Sequence, residues 1–230
     1  MRQRPFYHMA KRLFDILSSL LALIVSAPVW AVAIIGILVS DPGPVFYFAS
    51  RVGKDNEIFR MFKFRSMRVD QNADEKSLTP DQSRIFPWGR LLRRSKIDEL
   101  PQLINVILGD MSVVGPRPAS VDQIPITRSG ENTLVSTIKP GLTSPAALYD
   151  YLYGDAIEDE AEYMDKVAPT RLALDRCYVG KQTVGYDARM IWYTILCIIG
   201  TVFHRPPYFV LKEMIESVDG DRRALEEVKG

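Results

Sequence analysis

Residues 16–39 of this 230-residue chain are almost wholly apolar. The run Ile16 to Val39 is long enough for a helix to cross a bilayer core of about 30 Å. It constrains the fold because backbone inside lipid must satisfy its own hydrogen bonds. A secretory signal peptide is a poor match: the run is too long and no A-x-A cleavage site ends it. Arg2, Arg4, Lys11 and Arg12 precede it, which by the positive-inside rule places the N-terminus in the cytoplasm. Pro28 lies near its middle, with Ser26 two residues before. Proline removes the bond to residue i−4, and a serine hydroxyl can cover the freed carbonyl. Arms of about 12–15 residues on either side are roughly 18–22 Å long, too short to cross. From the residues alone two paths stay open. A span would carry everything after Asp41 across the membrane; a re-entrant helix-break-helix hairpin would return it to the cytoplasm.

The remainder reads as one globular domain, so the organisation expected is a membrane anchor over 1–40 and a globular domain over 41–230. Formal net charge is +1, which gives no argument for nucleic acid. Cys177 and Cys197 lack disulfide or metal-ligand spacing, and the histidines are His8 and His204. A structural zinc site is therefore not expected, and a reducing compartment fits. No GxGxxG or Walker A loop occurs, and no alternating βαβ pattern argues for a Rossmann fold.

Asp41-Pro42-Gly43-Pro44 is a turn. Val45 to Phe48 and Glu57 to Phe64 read as strands of a hairpin joined at residues 52–56. Met67 to Pro80 reads as a polar surface loop, and a helix begins near Ile85. Phe86 and Trp88 are assigned to the core in preference to the membrane interface. The acidic run Asp155 to Asp165 reads as a solvated helix face. Asp187 to Phe203 reads as a second apolar helix whose core, Met190 to Phe203, is too short for a span. It lies either in the membrane interface or in the core. The tail from Glu213 reads as a solvent-facing helix. The class is α+β, a small mixed domain on the N-terminal membrane anchor, with interfacial amphipathic helices.

The chemistry is concentrated between Arg93 and Pro118. Leu100, Leu103, Ile104, Ile107 and Leu108 recur with the period of one buried helical face, and Gly109 ends it. Asp98–Glu99 stands at the start. Such a pair is ordinarily a cap: Ser95 and Asp98 have capping-box spacing, or Asp98 is itself the N-cap. Here Arg84, Arg90, Arg93, Arg94 and Lys96 precede it with no acid among them, so a polyanion could be held beside a carboxylate. Pro116 and Pro118 fix the backbone on both sides of Arg117.

The ordered string Asp98-Glu99-Leu100, Gln102, Asn105, Gly109-Asp110-Met111-Ser112 and Val114-Gly115-Pro116-Arg117-Pro118 resembles the bacterial sugar transferase family, the small monotopic polyprenyl-phosphate phosphoglycosyl transferases. Ser50-Arg51-x-Gly53, Phe62-Lys63-Phe64-Arg65-Ser66-Met67 and Lys139-Pro140-Gly141-Leu142-Thr143 resemble further family motifs, and the resemblance covers Lys11 to Leu142. It implies a re-entrant hairpin hinged at Ser26 and Pro28, although Ala27 stands where members have serine directly before the proline. It also implies that Lys11–Arg12 is a basic pair at lipid headgroups. Residues 144–151 depart from the family pattern within a variable region, 143–230, where sugar specificity is expected to differ.

The implied reaction transfers a phosphosugar from a UDP-sugar to a polyprenyl phosphate such as undecaprenyl phosphate, releasing UMP. It takes place at the cytoplasmic face of the bacterial inner membrane, as the first membrane step of glycoconjugate assembly. Asp98 is expected to be the nucleophile of a covalent aspartyl-phosphosugar intermediate. Mg²⁺ is the expected cofactor, with Glu99 first and Asp98 second as ligands. Arg117 is the first choice for the transferring phosphate, and Arg94 is expected to orient the acidic pair. Lys63, Arg65 and Arg51 are expected at the nucleotide. Expected partners are the UDP-sugar, the polyprenyl phosphate and inner-membrane lipids, with no nucleic acid; a homo-oligomer is left open. The competing readings are an inactive membrane-anchored scaffold of a polysaccharide assembly and a ternary-complex transferase without a covalent intermediate.

Overall fold

The computed structural model describes residues 5–69, 82–157, 159–218 and 220. Helix α1 (Pro5–Ser40) runs unbroken through Pro28, so the expected division into two helices is not seen. Proline costs one backbone bond there, and the Ser26 hydroxyl donates to the Leu23 carbonyl at 3.4 Å, one residue away from the carbonyl that Pro28 frees. α1 is long and apolar enough to cross a membrane. Its two ends nevertheless rest on the same globular body. Asp15 and Ser19 are buried near one end, Ala33 and Ile37 near the other, while Leu20, Leu21, Ile24 and Val25 between them are exposed.

Strands β1 (Phe46–Val52) and β2 (Ile58–Phe64) form the antiparallel hairpin that alternation and turn signals predict, in register from Phe46↔Phe64 to Val52↔Ile58. Asp55 and Asn56 take the left-handed conformation in its turn, a region these residue types tolerate. Residues 70–80 of the expected loop lie outside the described residues. Helix α2 (Pro87–Arg94) leads through a 3-10 turn at Ile97–Glu99 into α3 (Gln102–Leu108), which Gly109 ends with φ 103°. Strand β3 (Ser112–Val114) follows, then β4 (Ala119–Ser120), paired with β1 through Arg51↔Ser120. After the short α4 (Ile124–Thr127), β5 (Gly141–Thr143) lies parallel to β3, Ser112 opposite Gly141. The remaining helices are α5 (Pro145–Leu152), α6 (Glu160–Lys166), α7 (Ala168–Lys181), α8 (Val184–Val202) and α9 (Tyr208–Glu216).

Two apolar clusters hold these elements. The larger gathers Val106, Met111, Val114, Leu148, Tyr149, Leu174, Tyr178, Met190 and Leu211. The smaller packs Ala33 and Ile37 of α1 on Phe64, Phe86 and Leu92. There α1 passes so close to Trp88 that a Cβ on Gly36 would lie 2.1 Å from the indole. Phe86 is thus a core residue, as expected, and Trp88 packs half-buried against the same cluster. α8 packs one face in the core, with Met190 and Cys197 buried, while Trp192, Ile195 and Ile199 on another face are exposed.

Several basic residues expected to meet substrate or lipid are engaged within this framework. Lys11 forms an ion pair with Asp187 at 2.6 Å, and Arg12 donates to the carbonyls of Val106 and Ile107 at 2.5 and 2.7 Å, closing the end of α3. Helix ends leave carbonyls unsatisfied, and a guanidinium fork meets two of them at once. Arg65 is buried, pairs with the Asp41 carboxylate and carbonyl, and donates to Pro44 O at 2.6 Å. It fixes the exit of the chain from α1 and is not among the cavity residues described below.

Candidate active site

Neither capping reading of the acidic pair holds. The Ser95 hydroxyl donates back to the Leu91 carbonyl at 2.7 Å, and Lys96 adopts the left-handed conformation with φ 55°. That residue turns the chain sharply enough to set Asp98 and Glu99 in the 3-10 turn against β2. The turn is held from the other side by Asn105, which is fully buried. Its side chain accepts from the Phe62 amide at 2.9 Å and donates to the Arg60 carbonyl at 2.7 Å. The next outward residue of β2, Lys63, then meets Glu99 at 3.2 Å.

A cavity of about 450 Å³ opens beside Glu99. Seven basic side chains line it, Arg51, Lys63, Arg117 and Arg171 together with Arg90, Arg93 and Arg94 from α2, against the carboxylates of Glu99, Asp150 and Asp155. Such an excess of guanidinium groups suits a substrate carrying several phosphate charges. Asp98 does not line the cavity. It is 4% exposed, and its Oδ1 has no hydrogen-bond partner among the described residues.

Burial and the charge of Glu99 push the Asp98 carboxyl up, against the opposing pull of Lys63, Lys96 and Arg93. Glu99 is desolvated as strongly, but Lys63, Lys96 and Arg117 outweigh burial and hold it well below the usual carboxylate range. The two neighbours are therefore chemically unequal. Glu99 is an ionised partner of lysine, and Asp98 is a carboxylate with an uncommitted oxygen.

Arg117 enters the cavity wall from the Pro116–Pro118 segment and forms an ion pair through Nε with Asp150 at 3.4 Å. Arg51 lines the same cavity, bonded to Ser120. Arg94 lines it too but does not orient the acidic pair. It donates to the Thr201 carbonyl at 3.0 Å and meets His204 Nε2 at 2.6 Å, at the end of α8. Asp155, read from the sequence as part of a solvated face, pairs with Lys96 at 2.8 Å and lines the cavity. Asp150, Tyr163, Arg171 and Asp175 are further polar residues that the sequence reading missed, all buried. The available signal was Arg171 and Asp175 falling on the same helical stripe as Leu174 and Tyr178. Among the described residues no three metal-ligating side chains converge. Mg²⁺ often takes one or two carboxylates and completes its shell with phosphate oxygens and water, and the orphan oxygen of Asp98 beside Glu99 fits that donor set.

Comparison with known proteins places these features. The sequence profile described as bacterial sugar transferase matches residues 6–201. The UDP-glucose:undecaprenyl-phosphate glucose-1-phosphate transferase of Xanthomonas campestris pv. campestris is 34% identical over 199 residues, covering 85% of this chain and 40% of that protein. The exopolysaccharide production protein PSS of Rhizobium leguminosarum bv. phaseoli is 36% identical over 197 residues, covering 81% of this chain and 93% of that one. A UDP-N-acetylgalactosamine-undecaprenyl-phosphate N-acetylgalactosaminephosphotransferase of Aeromonas hydrophila is 40% identical over 115 residues, half of this chain and 27% of its own. The chain thus spans less than half the length of the first and third of these relatives, and nearly all of the second.

Proposed function

This chain belongs to the bacterial sugar transferase family, and from that premise we propose that it transfers a phosphosugar from a UDP-sugar to undecaprenyl phosphate. The observation that carries the reading is a buried, uncommitted Asp98 oxygen on the residue next to Glu99, which lines a cavity where arginine and lysine outnumber the carboxylates. Two of the relatives above are named for glucose and N-acetylgalactosamine, so the sugar is left open.

In the reaction an Asp98 carboxylate oxygen attacks the sugar-bearing phosphorus of the UDP-sugar. The bond from that phosphorus to the bridging oxygen breaks, and UMP leaves with the electron pair. The polyprenyl phosphate oxygen then attacks the phosphorus of the aspartyl-phosphosugar, and the Asp98 carboxylate is released. Both acceptors are anions, so no general base is needed. Asp98 is favoured over Glu99 because Glu99 is engaged with Lys63. Lys63, Arg117 and Arg51 offset phosphate charge, and Arg117 presents a planar fork to the transferring group. Mg²⁺, held by Glu99 and Asp98, supplies further charge neutralisation when bound.

The path of α1 bears on where this happens. Asp15 and Ile37 are buried against one body although most of the apolar helix lies between them. Burial of both flanks of the apolar middle on the same protein body supports a path that does not cross, with the catalytic domain on the cytoplasmic face of the inner membrane. A soluble nucleotide sugar and a lipid phosphate meet there.

The test is intact-protein mass after incubation with a panel of UDP-sugars and Mg²⁺, without lipid acceptor. A gain of one phosphosugar is expected in the wild type, absent in Asp98→Asn and discharged by undecaprenyl phosphate. An adduct that survives Asp98→Asn and disappears in Glu99→Gln would reverse the two roles. Release of UMP only when lipid is present would refute the covalent step. No signal with any sugar, with or without lipid, would refute the transferase reading and favour a scaffold.

A further inference from the structure

We propose that Asp150, braced by Tyr163 and Arg171, is a positioning residue that fixes the guanidinium of Arg117 at the cavity. The proposal rests on the transfer reading above and names a residue from the part of the chain that departs from the family pattern. Asp150 is 4% exposed, and each carboxylate oxygen has its own partner. Oδ1 accepts from the Tyr163 hydroxyl at 2.7 Å, and Oδ2 faces Arg117 Nε at 3.4 Å. The Tyr163 oxygen in turn accepts from Arg171 Nη1 at 3.0 Å. The contacts therefore form one directed chain, Arg171 to Tyr163 to Asp150, closed by Arg117.

The surroundings leave the carboxylate little freedom. A Cβ on Gly154 would stand 2.3 Å from Asp150 Oδ1 and 3.0 Å from Val167 Cγ1, so the site is closed on that side by backbone. Burial and the neighbouring Asp150 charge keep the Tyr163 hydroxyl protonated and donating. Arg117 is thus constrained twice. Pro116 and Pro118 restrict its backbone, and Asp150 holds the Nε edge of its side chain. An arginine held by Nε keeps its Nη1–Nη2 edge for two phosphate oxygens. Pre-orienting that fork removes rotamer freedom that phosphate binding would otherwise have to freeze.

Asp150→Asn is the informative change, because an amide offers one acceptor oxygen where this chain uses two. The rate of phosphosugar adduct formation is measured by intact mass in four proteins: wild type, Asp150→Asn, Arg117→Ala and the double variant. Folding is checked by thermal unfolding. If Asp150 acts through Arg117, Asp150→Asn slows the wild type by about tenfold or more and slows Arg117→Ala by less than about twofold. Tyr163→Phe keeps the buried ring and removes only the bracing hydroxyl; it gives a smaller loss that also vanishes without Arg117. It carries the test if Asp150→Asn does not fold. Equal losses in both backgrounds would overturn the proposal and leave Asp150 as a support of the fold alone. That result, obtained with a normal wild-type adduct, leaves the transfer reading intact. No adduct in the wild type with any UDP-sugar overturns both.

Discussion

Gly141→Ala tests how tightly the two halves of the site are joined. A Cβ at Gly141 would stand 2.0 Å from Gly115 N, 2.5 Å from Gly115 O and 2.6 Å from Gly115 Cα. All three are backbone atoms, so no side chain can swing aside. Ordinary contact begins near 3.4 Å, and β3 and β5 must therefore part by more than about 1 Å. Among the backbone bonds across that seam are Ser112 N to Pro140 O at 2.8 Å, Gly141 N to Pro116 O at 2.8 Å and Gly115 N to Thr143 O at 3.0 Å. Stretched by that amount they approach 4 Å and no longer count as bonds. At about 1 kcal/mol net each, the loss is about 3 kcal/mol, or roughly 100-fold in the population of the closed seam. Arg117 lies two residues beyond Gly115 and shifts with it, and a misplacement of about 1 Å is enough to cost about 100-fold in rate. The assay is adduct formation with a UDP-sugar alongside thermal unfolding. Gly180→Ala is the control, since a Cβ there meets nothing within 4 Å. A Gly141→Ala protein whose adduct rate stays within about threefold of wild type would refute the argument.

Arg65→Met should destabilise the protein by about 3–5 kcal/mol, because it strands the Asp41 carboxylate and two carbonyls at the end of α1. KM for the UDP-sugar in the folded fraction should be unchanged, and a raised KM with normal stability would return Arg65 to the nucleotide. Burial lifts the Asp175 carboxyl to about 6 against the pull of Arg171 and Arg128. The native state therefore holds a proton that the unfolded chain has released, and this group's contribution to stability falls as pH rises from the ordinary 3.8 towards 6. Denaturant unfolding of Asp175→Asn should show the difference from wild type moving in the variant's favour by up to about 3 kcal/mol across that window, then levelling off. A difference that stays flat would mean that Asp175 is ionised throughout.

Where periodicity carried the information, the sequence was legible. The hairpin strands, α3 with its Gly109 stop, and the apolar run of α1 all follow from spacing and turn chemistry. Glu99, Lys63, Arg51 and Arg117, singled out from the sequence, come together on one cavity wall. What spacing cannot show is which cation meets which partner. Arg65, Lys11 and Arg12 looked like phosphate binders because a guanidinium or ammonium suits carbonyls, carboxylates and phosphates alike. Their partners, Asp41, Asp187 and the end of α3, are set by tertiary approach. Asp155 was obscured for the opposite reason. A run of acids is ordinarily solvated, and only the left-handed turn at Lys96 brings a lysine to one of them.

The ion pair between Lys11 and Asp187 joins residues 176 positions apart. A ribosome adding about 5–20 residues per second needs roughly 10–35 s to travel from one to the other. For most of that interval α1 is already made, and its lysine has Asp15, one turn on in the same helix, as its neighbouring carboxylate. The ion pair to Asp187 cannot form until that residue has been made. Once α8 emerges, the same ammonium becomes a buried clasp between the first helix and one of the last. A chain cut short before residue 187 would carry its first helix without that clasp.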